Sequence, residues 1–512
     1  MIHFRIPVLA ALLVYGLGVS AAEPLAPREP ALAVSPDALA IAKTSRDFSL
    51  ELYRQLATTH SGKGNLFCSP HSALGVLLMA AEGARGETAE QMGTVLHFPD
   101  DWRTATSRSW DTKRTLRGMG ELQSILLPRE NDAVRAQRQK LQELEALLKK
   151  LKPKAEDRFS REENDKLLRQ QSPVVDDINR LRQELDQYEL KIANAIWCDG
   201  RFPLRADYRQ TTQGAYGASV NSVDFLKNPE PARLRINVWA ADQTKGLIKD
   251  ILKPGAVDSM TKLVLTNAVY FKGNWQTPFD KTKTQDEPFW VSTEDTVTVP
   301  LMTNSKLEAR YVELRPDGKA NVPVKIAAPP KSFYPFRWEL PENPDGWKLI
   351  ELPYRGGSLS MLIILPNRRT GLAKLEQRFN GDQLADWTKR MSPQKVDTSL
   401  PRFKLRTSFE MGKALQLLGM TAAFSPGGFT GLSDSRQARD ISIGAVFQEA
   451  YVEVNEEGTE AAAVSAAIMT ATGMSDPRPP TPRFRADHPF VCLIRDSRTG
   501  AVLFVGRFAG KD

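Results

Sequence analysis

The sequence predicts an α+β fold built around antiparallel sheets. Helical periodicity dominates the first part of the chain, while alternating or β-branched runs dominate after about residue 190. The two patterns do not alternate as repeated βαβ units, which argues against a parallel sheet. The chain has 512 residues, of which 41% are hydrophobic and 25% charged. One large core is compatible with this length, because larger domains bury a larger fraction of their surface.

The first 22 residues have the form of a secretory signal peptide. Arg5 precedes an apolar run over residues 6–17, and small residues at 19–22 fit a cleavage site. The run is too short for an ordinary membrane span, although a single membrane anchor is the alternative interpretation. Residues 23–37 are rich in Pro and Ala and predict a flexible leader. We therefore expect a secreted, extracellular protein, or a periplasmic one in a Gram-negative-type cell, without membrane contact.

Helical patterns follow the leader. Apolar residues recur at helical spacing over residues 37–59. A short strand is predicted over residues 65–68, and Ser69 with Pro70 then forms a typical helix start. Gly83 ends that helix. The chain therefore opens with helices around one short strand.

A helical hairpin insertion is predicted over residues 127–190. Each of its two helices carries an apolar stripe with 3-4 spacing, which is typical of helices that pack as in a coiled coil. Two interpretations stay open: a solvated structural insertion, and a basic arm that binds a partner. The stripe residues are Leu141, Leu144, Leu148 and Leu151 in the first helix and Ile178, Leu181, Leu185, Tyr188 and Ile192 in the second.

Strand-like segments dominate the rest of the chain. Examples are KIANAIW, LVLTNAVYF, LSMLIILP, FVCLIRD and AVLFVGRF. Helical stretches are predicted between such segments over residues 233–244, 371–390 and 407–419. Residues 315–346, which are rich in proline and lack a clear period, are interpreted as a second insertion in the form of a loop.

The composition argues against several function classes. A net charge of +8 is too dilute over 512 residues for a nucleic-acid-binding protein. No zinc-type histidine spacing, nucleophile elbow or phosphate loop occurs, so we expect no metal, no cofactor and no enzymatic activity. His71 is interpreted as a core histidine; an exported hydrolase that depends on His71 or His97 is the remaining enzymatic alternative. Buried, unreactive thiols are predicted at Cys68, Cys198 and Cys492.

A strip of small side chains lies near the end of the chain, in VNEEGTEAAAVSAA (residues 454–467). A short alanine-rich helix is one interpretation, but residues 468–484 contain a glycine and four prolines and predict an exposed loop. A strip this narrow could enter between existing strands without overfilling a packed interior. In an extended strand, alternate residues share a face, so one face would carry only Thr459, Ala461, Ala463, Ser465 and Ala467.

This strip and the segments around it resemble the serpin family of protease inhibitors. Residues 454–467 resemble the hinge of that family's reactive-centre loop, and HPFVCLIRDSRTGAVLFVGRF resembles its last strands. Four more segments resemble family segments in the same order: NLFCSPHSALGVLLMAAEGARGET, ANAIWCDGRFPL, INVWAADQTKGLIKDIL and LVLTNAVYFKGNWQTPFD. The resemblance implies one domain over residues 38–512, with three β-sheets, eight or nine helices and a metastable native state. Its exposed hinge and reactive-centre loop would span residues 456–488.

The resemblance also implies a function as a suicide-substrate inhibitor of serine-type endopeptidases. The protease cuts the loop and forms an acyl-enzyme, and the hinge then enters the central sheet as a new strand. The alternative is a non-inhibitory binding or carrier protein with the same fold. The hinge would comprise Glu456, Glu457, Gly458, Thr459, Glu460, Ala461, Ala462, Ala463, Val464, Ser465, Ala466 and Ala467.

Five further residues match family positions that control opening of the sheet. Trp239 matches the tryptophan where the loop first enters the sheet. Ser69, Ser72 and Asn267 match polar residues under the sheet centre, where strands must part. Gln448 replaces a histidine that is usual in the strand before the hinge, and it can still donate and accept hydrogen bonds.

Counting from the hinge glycine in the family register places the reactive bond between Thr472 and Gly473. Because the loop is longer than usual, the bond between Met474 and Ser475 is the second candidate. The small or medium apolar residues here imply an elastase-like or subtilisin-like protease as the partner. A polyanion is a further candidate partner, suggested by the basic net charge, and a monomer is expected.

Overall fold

The computed structural model describes residues 34–59, 64–106, 109–127, 132–151, 161–185, 188–329, 335–457 and 479–510. By its internal contacts the chain divides into Met1–Val34 and Ser35–Asp512, and every helix and strand given below lies in the second unit. The predicted signal peptide and most of the leader lie outside the described residues. No helix within the described ranges has both the length and the apolar character that crossing a bilayer requires.

The described residues contain eleven α-helices, nine of which lie outside the predicted helical hairpin. Pro70 is the first residue of its helix, as predicted, because proline fits the first helical position. The helices are α1 (Pro36–Thr59), α2 (Pro70–Gly83), α3 (Gly86–Val95), α4 (Thr112–Leu126), α5 (Asp132–Leu151), α6 (Arg161–Glu184), α7 (Ala206–Tyr216), α8 (Pro229–Gln243), α9 (Leu372–Arg378), α10 (Gly381–Lys389) and α11 (Gly412–Leu417).

Sixteen strands form the sheets of the described residues, and each strand-like run quoted from the sequence coincides with one of them. They are β1 (Leu66–Cys68), β2 (Tyr188–Asp199), β3 (Ser219–Val223), β4 (Leu263–Gly273), β5 (Gln285–Trp290), β6 (Thr296–Leu314), β7 (Val324–Ala327), β8 (Phe336–Glu339), β9 (Trp347–Pro353), β10 (Leu359–Pro366), β11 (Ser392–Pro401), β12 (Phe403–Glu410), β13 (Ile443–Val454), β14 (Arg483–Arg485), β15 (Phe490–Asp496) and β16 (Val502–Phe508).

These strands form three sheets, which confirms the predicted α+β fold. The largest sheet has the order β1-β16-β15-β10-β9-β6-β11-β14, with β5 also paired to β6. The central sheet has the order β12-β13-β4-β2-β3, and β7 pairs with β8 alone. Most neighbouring strands are antiparallel, as predicted. Three pairs are parallel instead: β2 with β3, β4 with β13, and β11 with β14.

The central sheet is buried on both faces. Leu265 of the sheet belongs to the main core together with Leu74 of α2 and Phe504 of β16. The opposite face forms a second core, in which Trp197 packs with residues such as Ile236 of α8. Strands buried on both faces read as near-continuous apolar runs, as LVLTNAVYF does. Helix α8 therefore covers the outer face of the central sheet.

The segment predicted as a helical hairpin contains α5 and α6, which pack against each other. Helix α6 contains Pro173 in its interior. The second predicted stripe ends early, because Tyr188 and Ile192 lie in β2, which pairs with β4. The Tyr188 hydroxyl donates a hydrogen bond to the carbonyl of Leu126 at the end of α4 (2.7 Å), so the two ends of the hairpin meet.

Two further segments differ from the prediction. Residues 315–346, expected to be a loop, contain β7 and β8, which pair along their length. The ammonium of Lys325 lies 4.2 Å from the ring centroid of Phe336 across this pair. Residues 407–410, expected to be helical, belong to β12, because pairing with β13 overrides their local pattern.

Candidate functional site

The central sheet contains a parallel seam between β4 and β13. The seam runs from Leu263 opposite Ile443 to Phe271 opposite Val452. On its two sides the neighbouring strands are antiparallel, β12 to β13 and β2 to β4. The parallel pairing of β4 with β13 requires a long connection between them, which here includes β5 to β12.

The chain leaves the sheet at one end of this seam. Residues 455–457 follow β13, the described structure resumes at residue 479, and β14 then pairs with β11. A segment that turned back after β13 would run antiparallel to β13. Because β4 is parallel to β13, the same segment would also run antiparallel to β4. The topology can therefore accept one additional strand with an antiparallel partner on each side.

A buried hydrogen-bond network holds the seam together near its centre. Gln448 of β13 lies opposite Asn267 of β4, and both side chains are fully buried. The side-chain amide of Gln448 donates to Oδ1 of Asn267 (2.6 Å) and to the backbone carbonyl of Ser69 (2.7 Å). Its Oε1 accepts from the backbone N–H of Ser69 (2.9 Å). This one side chain therefore joins β13 to β4 and to the start of α2.

The network continues to a residue that the sequence did not single out, Asn194 of β2. Nδ2 of Asn267 donates to Oδ1 of Asn194 (2.5 Å) and to the hydroxyl of Ser72. A Cβ atom added to Gly75 would lie 2.9 Å from Nδ2 of Asn194, so glycine permits the close approach of α2. The available signal for Asn194 was its position as a polar residue between two alanines of a strand-like run.

Ser69 anchors the network to the largest sheet. Its hydroxyl donates to the backbone carbonyl of Leu503 in β16 (2.7 Å). It makes no side-chain cap of α2, although its position before Pro70 suggests one. The structure thus brings together Ser69, Ser72, Asn267 and Gln448 in one network, while their role in sheet opening stays a prediction.

Trp239 does not lie where the sequence placed it. It is half-buried on α8, with its ring edge-on to that of Trp197 (5.7 Å between centroids). Trp275 is the tryptophan beside the end of β13. Its indole N–H donates to the carbonyl of Asn455 (2.9 Å), and its backbone N–H donates to the carbonyl of Glu457 (3.1 Å). Trp275 lies two residues after the end of β4, and the parallel pairing of β4 with β13 places it beside the end of β13.

The first two predicted hinge residues are fixed to the body of the domain. Glu456 is 3% exposed; its carboxylate accepts from the hydroxyl of Thr284 (2.8 Å) and pairs with Arg402 (3.4 Å). The carboxylate of Glu457 pairs with the ammonium of Lys281. The other predicted hinge residues and both candidate bonds lie outside the described residues: Gly458, Thr459, Glu460, Ala461, Ala462, Ala463, Val464, Ser465, Ala466, Ala467, Thr472, Gly473, Met474 and Ser475.

A cleft of about 1000 Å³ lies beside these hinge residues. Its walls carry both signs of charge in pairs. Arg402 pairs with Glu456, and Lys404 pairs with Glu453 (3.2 Å). Paired charges of opposite sign do not produce the uniform positive field that attracts a polyanion. The cleft therefore gives no support to a polyanion site at this end of the sheet.

His71 and the cysteines are buried, as their apolar neighbours predicted. The ring Nδ1 of His71 lies 2.8 Å from the Ser45 hydroxyl, and no described residue pairs with Nε2. Burial lowers the pKa of His71 to about 4, so the ring is neutral near pH 7. Burial raises the pKa of the Cys198 thiol to about 12, and also raises those of Cys68 and Cys492. Thiols held in this state are poor nucleophiles.

The three sheets, the parallel seam and the network beneath it define a serpin architecture. The model of the family described as Serpin (serine protease inhibitor) matches residues 43–510. The chain belongs to the serpin family. It is 34% identical over 470 residues to the leukocyte elastase inhibitor of Equus caballus, an alignment that covers 90% of this chain and 97% of that protein.

Two solved structures share the fold. Uncleaved ovalbumin has a TM-score of 0.62 and 25% sequence identity, covering 92% of this chain and 99% of its own. Human thyroxine-binding globulin, complexed with thyroxine, has a TM-score of 0.65 and 21% identity, covering 93% of this chain and 100% of its own. The second likeness shows the fold alone.

Proposed function

We propose that this protein is a suicide-substrate inhibitor of serine-type endopeptidases that traps its target by inserting the segment after β13 into the seam. The observation that carries the proposal is the parallel pairing of β4 with β13, together with the departure of the chain from β13 at the seam's end. The relative named as a leukocyte elastase inhibitor supports the same activity.

The lengths of the seam strands fit the predicted hinge strip. β13 has 12 residues and β4 has 11. With Gly458 in the turn, a strand of about 11 residues beginning at Thr459 would end near Met469, because antiparallel residues pair one to one. The bond between Thr472 and Gly473 would then lie just beyond the far end of the seam. A protease attached at Thr472 would be carried along the full length of the sheet.

The chemistry begins as ordinary proteolysis. The protease serine attacks the carbonyl carbon of Thr472, the bond to the nitrogen of Gly473 breaks, and the new amine leaves with a proton. An ester then joins Thr472 to the protease. If the strip inserts into the sheet before this ester is hydrolysed, the attached protease is carried along. Its active site is distorted, so the ester is no longer hydrolysed. The small face of the strip, which includes Ala461 and Ala463, would turn toward the main core, where there is no room for a large side chain.

The test compares two arginine substitutions on opposite faces of the strip. Ala463→Arg places a charge toward the core, at a cost of several kcal/mol for an unpaired buried ion. We expect it to raise the stoichiometry of inhibition of pancreatic elastase and subtilisin at least about tenfold, since each 1.4 kcal/mol is a factor of ten. Glu460→Arg, the matched control on the other face, should trap as the natural protein does.

The readouts are an SDS-resistant complex on a gel and the mass of the released C-terminal peptide, which should begin at Gly473. Equal trapping by Ala463→Arg and Glu460→Arg would contradict insertion of this strip. A natural protein that is cleaved throughout a protease panel without forming a complex would instead favour the non-inhibitory binding or carrier function.

We further propose that the protein is exported, on the strength of the signal-like residues 1–22 alone. The names of the relatives do not support this part of the proposal. Export predicts that the protein recovered outside the cell begins near residue 23, which N-terminal sequencing would show.

A further inference from the structure

The outer surface of α8 carries an apolar stripe that no described residue covers. Leu234 is 50% exposed and Val238 is 61% exposed. Pro231 is also exposed and Ala241 is half-buried, so the four residues follow the 3-4-3 spacing of a coiled-coil seam. The inner face of the same helix is already occupied by residues such as Ile236, which pack on the central sheet. Helix α8 is therefore apolar on two faces. Its inner face packs on the central sheet, and its outer stripe is exposed and accessible to a partner.

More exposed apolar side chains border this stripe in the sequence. Leu226 precedes α8 and is 42% exposed, while Leu247 follows it and is 37% exposed. Large apolar side chains exposed together mark interaction surfaces more often than single ones do. Within α8 itself two large apolar side chains are exposed, Leu234 and Val238, whereas the described residues of α4 and α7 have none within the helix.

Two exposed charges flank the outer stripe on one side. Arg235 directly follows Leu234 in the sequence, and Asp242 directly follows Ala241. The two charged residues are therefore seven positions apart, which is the length of one 3-4 repeat. On a helix with 100° per residue they lie within about 20° of each other around the axis. Arg235 donates one hydrogen bond to the carbonyl of Ser222 (3.2 Å), which leaves further guanidinium N–H groups for a partner.

We propose that α8 is a self-association surface on which a second copy of this chain docks. An antiparallel pair of α8 helices with a two-fold axis at Val238 would place Val238 against Val238 of the other copy. Leu234 would then meet the region of Ala241, and Arg235 would lie beside Asp242. The symmetry repeats this ion pair on the other side of the axis. The stripe and its charges are thus self-complementary, as an isologous dimer requires.

The dimer is expected to be weak. From Pro231 to Ala241 the stripe is about 15 Å long at 1.5 Å per residue. Small interfaces, below about 1,200 Å² in total, belong to transient complexes, so we expect half-dissociation at roughly 10–100 µM. This proposal differs from the monomer expected in the sequence analysis. It concerns association only, so it stands or falls independently of protease trapping.

The test is sedimentation equilibrium of the full chain over a range of concentrations. The natural protein should show a reversible dimer, and Val238→Glu should raise its dissociation constant at least about tenfold, because a charge would be buried at the axis. Leu417→Glu, an equally exposed apolar position on α11, is the matched control and should leave the constant unchanged.

Exchanging the charges of Arg235 and Asp242 distinguishes this arrangement from nonspecific hydrophobic association. Arg235→Glu should weaken the dimer, since it faces Asp242 with a like charge, and the double variant Arg235→Glu with Asp242→Arg should restore it. A natural protein that stays monomeric up to about 500 µM, well above the expected midpoint, would overturn the proposal. So would a double variant no tighter than Arg235→Glu alone, or a dimer unaffected by Val238→Glu.

Discussion

Gln448 lies at the centre of the closed seam, with three hydrogen bonds of 2.9 Å or less to Ser69 and Asn267. The family usually has a histidine here, a side chain whose ordinary pKa is about 6.5. Glutamine carries no titratable proton, and neither do Ser72, Asn194 and the other partners in the network. The pairing of β4 with β13 is therefore supported by neutral amides and hydroxyls, whose hydrogen bonds do not change with pH.

We predict that Gln448→Ala lowers the free energy of unfolding by about 2–4 kcal/mol, because buried partners on Ser69 and Asn267 lose their hydrogen bonds. Urea or thermal unfolding followed by circular dichroism would measure it. Gln416→Ala on the exposed surface of α11 is the control and should stay within about 0.5 kcal/mol of the natural protein. A cost for Gln448→Ala no larger than that of the control would show that the network does not hold the seam.

The sequence predicted four members of this network but missed Asn194. Ser69, Ser72, Asn267 and Gln448 were identified by resemblance to known positions, and no periodicity places residues so far apart in sequence next to one another. Asn194 joins them only because β2 pairs with β4 in a register that sets it opposite Asn267. Register depends on the whole sheet, so it is not contained in a short segment.

At the scale of elements, the boundary between α6 and β2 shows how pairing overrides local pattern. Tyr188 continues the helical spacing of Leu181 and Leu185, yet it begins a strand, because its backbone pairs with Gly273. The helical hairpin itself was predictable, since 3-4 spacing sustained over several turns is a strong local signal. Residues 324–339 gave no such signal, because their strands are only four residues each.

The end of β13 supplies a prediction that separates two tryptophans. Trp275 contacts Asn455 and Glu457, which must move when the following segment enters the seam, whereas Trp239 packs on Trp197 away from them. We expect cleavage of the loop to change the intrinsic fluorescence, and Trp275→Phe to remove most of that change. Trp239→Phe, the matched control, should retain it. If Trp239→Phe removed the fluorescence change and Trp275→Phe kept it, Trp239 would be the tryptophan that responds to entry of the loop, as the sequence analysis expected.

At the scale of the whole molecule, the α+β class followed from the segregation of helical and strand-like patterns. The direction of β4 relative to β13 did not follow from those patterns. The runs LVLTNAVYF in β4 and AYVEVN at the end of β13 have the same pattern whether the strands are parallel or antiparallel. The long connection between these strands is what permits the parallel pairing of β4 with β13. That pairing is the feature from which the proposed function follows, and it became visible only in the assembled sheet.

The native state is expected to be metastable, because β4 pairs directly with β13 in a topology that could accept one more strand between them. Once the loop is cut, this strand can form hydrogen bonds with β4 and β13 along about 11 residues. At about 1 kcal/mol for each net hydrogen bond, the cleaved protein should be more stable by enough to raise its Tm by about 10 °C or more. The cleaved Ala463→Arg variant should gain much less, since its strip does not fit.

The most direct measurement is the Tm of the natural protein before and after a single cut within residues 458–478, with both fragments retained. A rise of about 10 °C or more is the result that strand insertion predicts. An unchanged or lower Tm after the cut would contradict insertion into the β4–β13 seam, and with it the proposed mechanism of inhibition.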